Sequence, residues 1–195
     1  LAMGGTSRKL GLKGEERLTG RGVSYCAVCD GSFYKDKTVA VIGGGDTAAE
    51  DANYLSRICS KVYLVHRRSE LRAAKSLQEE VMKNPKVEII WDSIVESIAG
   101  DTSLESINLK NVNTNEITSL EVDGVFVAIG ADPNTCLVKD KIQLSKTGYI
   151  ITNEDMQTNL DNVFACGDIR EKSFRQVVTA VSDGAIAALA AEKNI

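Results

Sequence analysis

Thr38-Val39-Ala40-Val41-Ile42-Gly43-Gly44-Gly45-Asp46-Thr47-Ala48 is the stretch that decides the fold. Its first half is a short, uninterrupted apolar run with β-branched members, the pattern of a parallel strand buried on both faces. Its second half is a Gly-x-Gly-x-x-Ala turn. Gly43 permits a tight turn, Gly45 lets backbone N–H groups approach a pyrophosphate, and Ala48 is small enough for a helix to pack against the strand. The helix that follows points its partial positive charge at the phosphates. Alone such a turn is weak evidence, and a glycine-rich structural turn is the competing reading.

The context favours a dinucleotide. Residues 46–58 read as a helix, with Ala48, Ala52, Leu55 and Cys59 at helical spacing and Asp46 able to serve its start. Residues 61–66 read as a second strand, 69–82 as a charged helix stopped by Asn84-Pro85, and 87–91 as a third strand. The order βαβαβ predicts a parallel sheet with helices on its faces. Residues 94–98, 103–112 and 117–122 then alternate like an antiparallel meander, and 124–129 is again an all-apolar strand. Residues 11–22 are charged and glycine-punctuated, a connector. Gly130-Ala131-Asp132-Pro133-Asn134 is a turn-rich link. A strand at 162–165 and a helix from about 175 to 192 close the chain.

Twelve residues before the strand lies Cys26-Ala27-Val28-Cys29-Asp30. A close cysteine pair exchanges two electrons between dithiol and disulfide. Zinc fits poorly, since a structural site needs four ligands and the chain has no second pair, so no metal is expected. The remaining alternative is two idle cysteines. Asp30 is the acid nearest the pair in sequence, either a proton donor and acceptor or a helix cap or turn residue. At the end of the second strand, His66-Arg67-Arg68 with Arg72 replaces the acid that would meet an NAD ribose. Guanidiniums there suit the 2′-phosphate of NADP. The competing reading is a solvated basic start to a helix. His66 is the sole histidine, which excludes a catalytic histidine elsewhere.

Composition sets the bounds. The chain has 195 residues, 43% of them hydrophobic, two prolines and a net charge of −4. A core can be buried, and nothing suggests disorder or nucleic-acid binding. No apolar run is long enough to predict a membrane span. Five cysteines, an odd and scattered set, do not form a secreted disulfide scaffold, so a cytoplasmic setting is expected. Cys59, Cys136 and Cys166 are expected to be buried packing residues. Leu1 to Gly5 reads as the end of a strand running into a turn, so the chain is expected to be a fragment.

Several spaced motifs in one order resemble the low-molecular-weight, bacterial-type thioredoxin reductases. The stretch 22–31 resembles their redox motif. Gly43, Gly44, Gly45, Asp46, Thr47 and Ala48 resemble their NADPH turn, and His66, Arg67, Arg68 and Arg72 their 2′-phosphate site. Gly130, followed by Pro133-Asn134-Thr135, resembles the return link to the flavin domain. Ala165-Cys166-Gly167-Asp168 and Arg175-Gln176-Val177 resemble the second flavin-binding segment.

The resemblance implies a Rossmann-like α/β NADPH-binding domain, parallel sheet plus meander, at 9–123, carrying the cysteine pair. It implies a remnant of an FAD-binding α/β domain at 1–8 and that domain's C-terminal half at 124–195, with the flavin domain's front half lacking. It implies a thioredoxin-disulfide reductase that passes electrons from NADPH through FAD to Cys26–Cys29 and on to thioredoxin. In that scheme Cys29 lies nearer the flavin, Cys26 attacks thioredoxin, and Asp30 is the acid/base group. Asp168 bonds a flavin-chain hydroxyl, Gly167 belongs to the same cofactor-binding segment, and Arg175, Gln176 and Val177 line the ring. A domain rotation about links near 10–14 and 130–134 would alternate the partners of the flavin. The full-length protein is expected to be a homodimer. Related flavoproteins, of the peroxide-reductase or ferredoxin-dependent type, are alternatives, the latter disfavoured by the arginines. A non-catalytic nucleotide-binding module is the alternative from another class.

Overall fold

The computed structural model describes residues 1–193. The chain divides into two compact units, Arg8–Gly130 and a second made of Leu1–Ser7 with Ala131 onward.

The larger unit is built on the strand of the opening motif. In chain order it contains α1 (Glu15–Leu18), β2 (Val23–Ser24), α2 (Ala27–Asp30), β3 (Thr38–Gly43), α3 (Asp46–Ser56), β4 (Lys61–Val65), α4 (Lys75–Lys83), β5 (Val87–Ile90), β6 (Ser93–Ala99), β7 (Ser106–Asn111), β8 (Ile117–Glu121) and β9 (Gly124–Ala128). β1 (Gly5–Ser7) belongs to the smaller unit. Five parallel strands form one sheet in the order β2-β9-β3-β4-β5. β6, β7 and β8 form the antiparallel sheet the alternation predicts.

Alternation along β3 explains its unbroken apolar run. Val39 and Val41 join Ala48, Ala52, Leu55, Leu64 and Phe126 in a core under the helices. Ala40 and Ile42 join Val125, Val127, Ile107 and Leu109 in a second core under the meander. With both faces covered, no polar position is left on the strand. Each fully buried Val or Leu adds about 1.5–3 kcal/mol of burial free energy.

Several expectations are corrected. The helix expected over 69–82 begins at Lys75, because the preceding segment is drawn onto the glycine turn. Arg72 N donates to Gly44 O at 2.6 Å, and Ala74 N donates to Asp46 Oδ1 at 2.7 Å. Asp46 therefore does not cap its own helix; Gly45 is the N-cap and the carboxylate serves the neighbouring segment. The strand 124–129, expected at the head of the C-terminal segment, is β9 and lies between β2 and β3. The 11–22 connector contains a helical turn, α1, whose buried Glu15 carboxylate accepts from the backbone N–H groups of Leu10, Gly11 and Leu12. Residues 10–12 of the expected link are thus bonded to Glu15 within the larger unit.

In the smaller unit, β1 pairs antiparallel with β10 (Ala131–Pro133), so the turn-rich link is half of a two-stranded ribbon. The strand expected at 162–165 is only a bridge between Gln157 and Phe164. Leu1 pairs with this stretch, its N-terminus donating to Phe164 O at 2.5 Å and its carbonyl accepting from Cys166 N. Helix α5 (Val177–Glu192) closes the unit, two residues later than expected and capped by Gln176. Cys59 is buried as expected, but Cys136 is exposed and Cys166 only half-buried.

Candidate functional site

The cysteine pair sits where β2 runs into α2. Cys26 and Cys29 are joined by a disulfide, with Cα atoms 5.3 Å apart. Cys26 is the N-cap of α2, and its Sγ accepts from Cys29 N at 3.2 Å. An N–H aimed at that sulfur favours its thiolate once the disulfide opens. Cys29 is exposed and Cys26 half-buried. Asp30 ends the same helix, and its Oδ2 accepts from Ser24 Oγ at 2.7 Å. The same hydroxyl oxygen accepts from Cys26 N at 3.1 Å. Ser24, 4% exposed, therefore joins the acid to the backbone of the first cysteine. Sequence reasoning missed it, although a hydroxyl two residues before a cysteine is the available signal.

Beneath this loop lies a second unpredicted group. Tyr25 OH donates to Glu15 Oε1 at 2.7 Å. Burial, with the Glu15 carboxylate next to it, pushes the phenol up to about 12. Burial also works to raise the Glu15 carboxyl, but the backbone N–H groups and Tyr25 outweigh it and hold the group below its ordinary value.

The glycine turn, in the same unit, has three glycines with three different reasons. A Cβ on Gly43 would lie 2.7 Å from Ala48 Cβ and closer still to Ala128 O. A Cβ on Gly44 would lie 2.7 Å from Cγ of His66 and closer to Cε1 and Nδ1. A Cβ on Gly45 would meet nothing within 4 Å. Packing of the chain itself thus requires the first two. The open space at Gly45, at the start of α3, is the room a ligand's phosphates would take. Thr47 is exposed on the first turn of that helix and Ala48 is fully buried.

Arg67, Arg68 and Arg72 are exposed, and no carboxylate pairs with them among the described residues. Arg72 is carried onto the turn by its bond to Gly44 O. His66 differs from its neighbours in being only 4% exposed. Burial, with the guanidiniums of Arg72 and Arg67, lowers its pKa against the opposing pull of the Glu70 and Gly43 carbonyls.

The residues expected at a flavin lie apart in the chain, and all but Gly130 fall in the smaller unit. Gly130 ends the larger one, its carbonyl accepting from Arg8 N at 3.0 Å. Gly167 opens a 3-10 turn containing Asp168. Asp168 Oδ1 is buried without a hydrogen-bond partner, and so is Arg175 Nε. Lys172 Nζ lies 3.8 Å from Asp168 Oδ1, so Arg175 Nε is the one of the two left without any partner, and it fits a polar ligand. Arg175 also stacks over Tyr149, 3.8 Å from the ring centroid. Gln176 is committed locally: it forms a reciprocal capping box with Thr179, while Val177 is exposed.

Asp183, missed from sequence, holds the segment together. Its Oδ2 accepts from Gly167 N at 3.0 Å and pairs with Arg170 at 2.9 Å and Lys172 at 3.0 Å. Burial opposes ionisation, but these partners keep its carboxyl below the ordinary value. Among the described residues no cluster of His, Cys, Asp or Glu is arranged to hold a metal ion. No described helix is long and apolar enough to cross a membrane.

Known proteins resemble this chain in sequence and fold. Thioredoxin reductase of Peptoclostridium litorale is 53% identical over 201 residues, covering all of this chain and 64% of that protein. The crystal structure of thioredoxin reductase from Streptococcus pyogenes superposes with a TM-score of 0.94 at 46% identity, covering 99% of this chain and 63% of that one. Thioredoxin reductase from Giardia duodenalis gives 0.93 at 39% identity, with 99% and 64% covered. The chain thus spans somewhat less than two thirds of these relatives. The sequence pattern described as pyridine nucleotide-disulphide oxidoreductase matches residues 1–184, and the chain belongs to that family.

Proposed function

We propose that this chain is the nucleotide-binding and disulfide-bearing portion of a thioredoxin reductase, and that Arg8–Gly130 is its NADPH domain. The observation that carries the reading is one unit holding both a Cys26–Cys29 disulfide and a glycine turn open at Gly45. The backbone at Gly43, Gly44 and Gly45, with Asp46, Thr47 and Ala48, would hold the nucleotide's pyrophosphate, and Arg67, Arg68 and Arg72 its 2′-phosphate. Gly130, Gly167, Asp168, Arg175, Gln176 and Val177 would border FAD. When bound, the nucleotide and the flavin supply the electron pair that opens the disulfide.

The chain's own residues then do the exchange. The Cys26 thiolate, favoured by the Cys29 N–H, attacks one sulfur of the partner's disulfide. A mixed disulfide forms, and the partner's other sulfur leaves as a thiolate and takes up a proton. Cys29 attacks Cys26 Sγ, gives up its proton, closes the Cys26–Cys29 bond and releases a dithiol partner. Asp30 Oδ1, the oxygen not engaged by Ser24, holds the proton in transit. Thioredoxin is the proposed partner. The resemblance extends the reading to a homodimeric, cytoplasmic full-length protein.

The test uses the reduced chain and oxidised thioredoxin, with thiols counted on each protein. Two electrons per chain should pass to thioredoxin, and Cys29→Ser should trap a mixed disulfide through Cys26. Absence of transfer, or trapping only through Cys29 in a Cys26→Ser chain, contradicts the reading.

A further inference from the structure

His66 stands in a basic cluster, yet its side chain is not on the surface with the arginines. It is 4% exposed, and its Nε2 is buried without a partner. The strand end holds it on both sides: His66 N donates to Ile90 O at 2.9 Å, and Ser93 N donates to His66 O at 3.0 Å. Trp91 packs edge-on to the ring, with centroids 6.5 Å apart. On another side the ring fills the space that a side chain at Gly44 would need. Gly44 in turn receives Arg72 N through its carbonyl. The imidazole therefore lies in packing contact with the middle glycine of the turn, and that glycine anchors one of the three arginines.

We propose that His66 is a positioning residue that props the glycine turn at Gly44, and not a contact to the 2′-phosphate. This rests on the nucleotide-binding reading above. With the residue only 4% exposed and Nε2 fully buried, that nitrogen offers no donor to a ligand at the surface. Its surroundings also favour the uncharged form, since burial and the Arg72 and Arg67 guanidiniums outweigh the Glu70 and Gly43 carbonyls. A prop acts on the pyrophosphate turn, which every dinucleotide uses. A phosphate contact acts only on NADP(H). The two roles therefore differ in selectivity.

The experiment measures NADPH and NADH dissociation constants by calorimetry for the chain, His66→Ala, Gly44→Ala and the double variant, with a thermal melt of each. His66→Ala should weaken both nucleotides by a common factor of about ten, leaving their ratio unchanged. Gly44→Ala should weaken both nucleotides and lower the melting temperature. In the His66→Ala background the same change should cost little in either readout, because the ring it strikes is gone. Loss of NADPH with NADH retained, no loss of either, or additive effects in the melts would overturn the proposal. If the unaltered chain binds neither nucleotide, the nucleotide-binding reading fails. The melting temperatures alone then decide the packing relationship between Gly44 and His66.

Discussion

Ser24 Oγ donates to Asp30 Oδ2 at 2.7 Å while accepting from Cys26 N at 3.1 Å, so one hydroxyl ties the acid of the redox loop to its first cysteine. β2 contributes the serine, α2 the aspartate, and the disulfide spans the turn between them. The carboxylate has its orientation set by a neighbour that does not itself carry protons through the exchange.

Ser24→Ala removes both bonds from a buried site. The oxidised chain should lose about 1–3 kcal/mol of unfolding free energy. Urea unfolding of wild type and variant measures it. The same variant should exchange with thioredoxin more slowly, because Asp30 is no longer held. An unchanged exchange rate would remove Ser24 from the account.

Glu15→Gln places an amide NH2 among donors. The two carboxylate oxygens now accept from Leu10, Gly11, Leu12 and Tyr25, and an amide offers one oxygen for them. A loss of about 2–3 kcal/mol is expected at neutral pH. The sign with pH follows from a folded pKa held below the ordinary 4.5. The contribution is complete above the unfolded value and disappears as pH falls through the folded one. The gap between wild type and Glu15→Gln should therefore narrow as pH drops below about 4.5. Melts at neutral and acid pH check it, and a gap that widens on acidification would contradict the assignment.

The three remaining thiols should separate by reactivity. Cys136 is exposed, and Cys59 is buried with its thiol pushed up to about 11 by burial. In the native oxidised chain a thiol reagent should label Cys136 rapidly and Cys59 only after unfolding. Reduction should add two reactive thiols, Cys26 and Cys29. Mass mapping identifies the labelled sites. Rapid native labelling of Cys59 would show the helix-side core to be more open than its packing indicates.

Gly45→Ala and Gly43→Ala should diverge. The first adds a methyl to open space at φ −96°, so thermal stability should not change while nucleotide affinity falls. The second drives a methyl into Ala128 and Ala48 and should cost about 1–3 kcal/mol of stability. Paired melts and nucleotide titrations distinguish them. Equal destabilisation by both would mean that Gly45 is structural.

The βαβαβ core was legible because its signal is local: β3 is covered on both faces, so every residue after Thr38 can be apolar. What escaped depends on distant partners. The α4 start at Lys75 is set by Gly44 and Asp46 drawing in residues 72–74, which no helical period records. Ala131–Pro133 has turn composition, yet it pairs with a strand more than a hundred residues away. Glu15 looked like one charge in a polar connector because its four donors come from a folded loop and from Tyr25. In the site, the glycines and cysteines were readable from spacing, since their chemistry demands it. Ser24, Tyr25 and Asp183 were not, because support through a hydrogen bond leaves no fixed interval in sequence. His66 reads as basic beside its arginines, and only the packing against Gly44 separates it from them.

Calorimetric titration decides whether the unit holding Cys26–Cys29 also binds NADPH. NADPH and NADH should be titrated into the chain and into the Arg67→Ala, Arg68→Ala double variant. One NADPH site is predicted, tighter than for NADH. The double variant should lose about 1.5–3 kcal/mol per contact with NADPH and little with NADH. No NADPH binding to the unaltered chain, or an equal loss for both nucleotides, would mean that this unit is not an NADPH site built on Arg67 and Arg68.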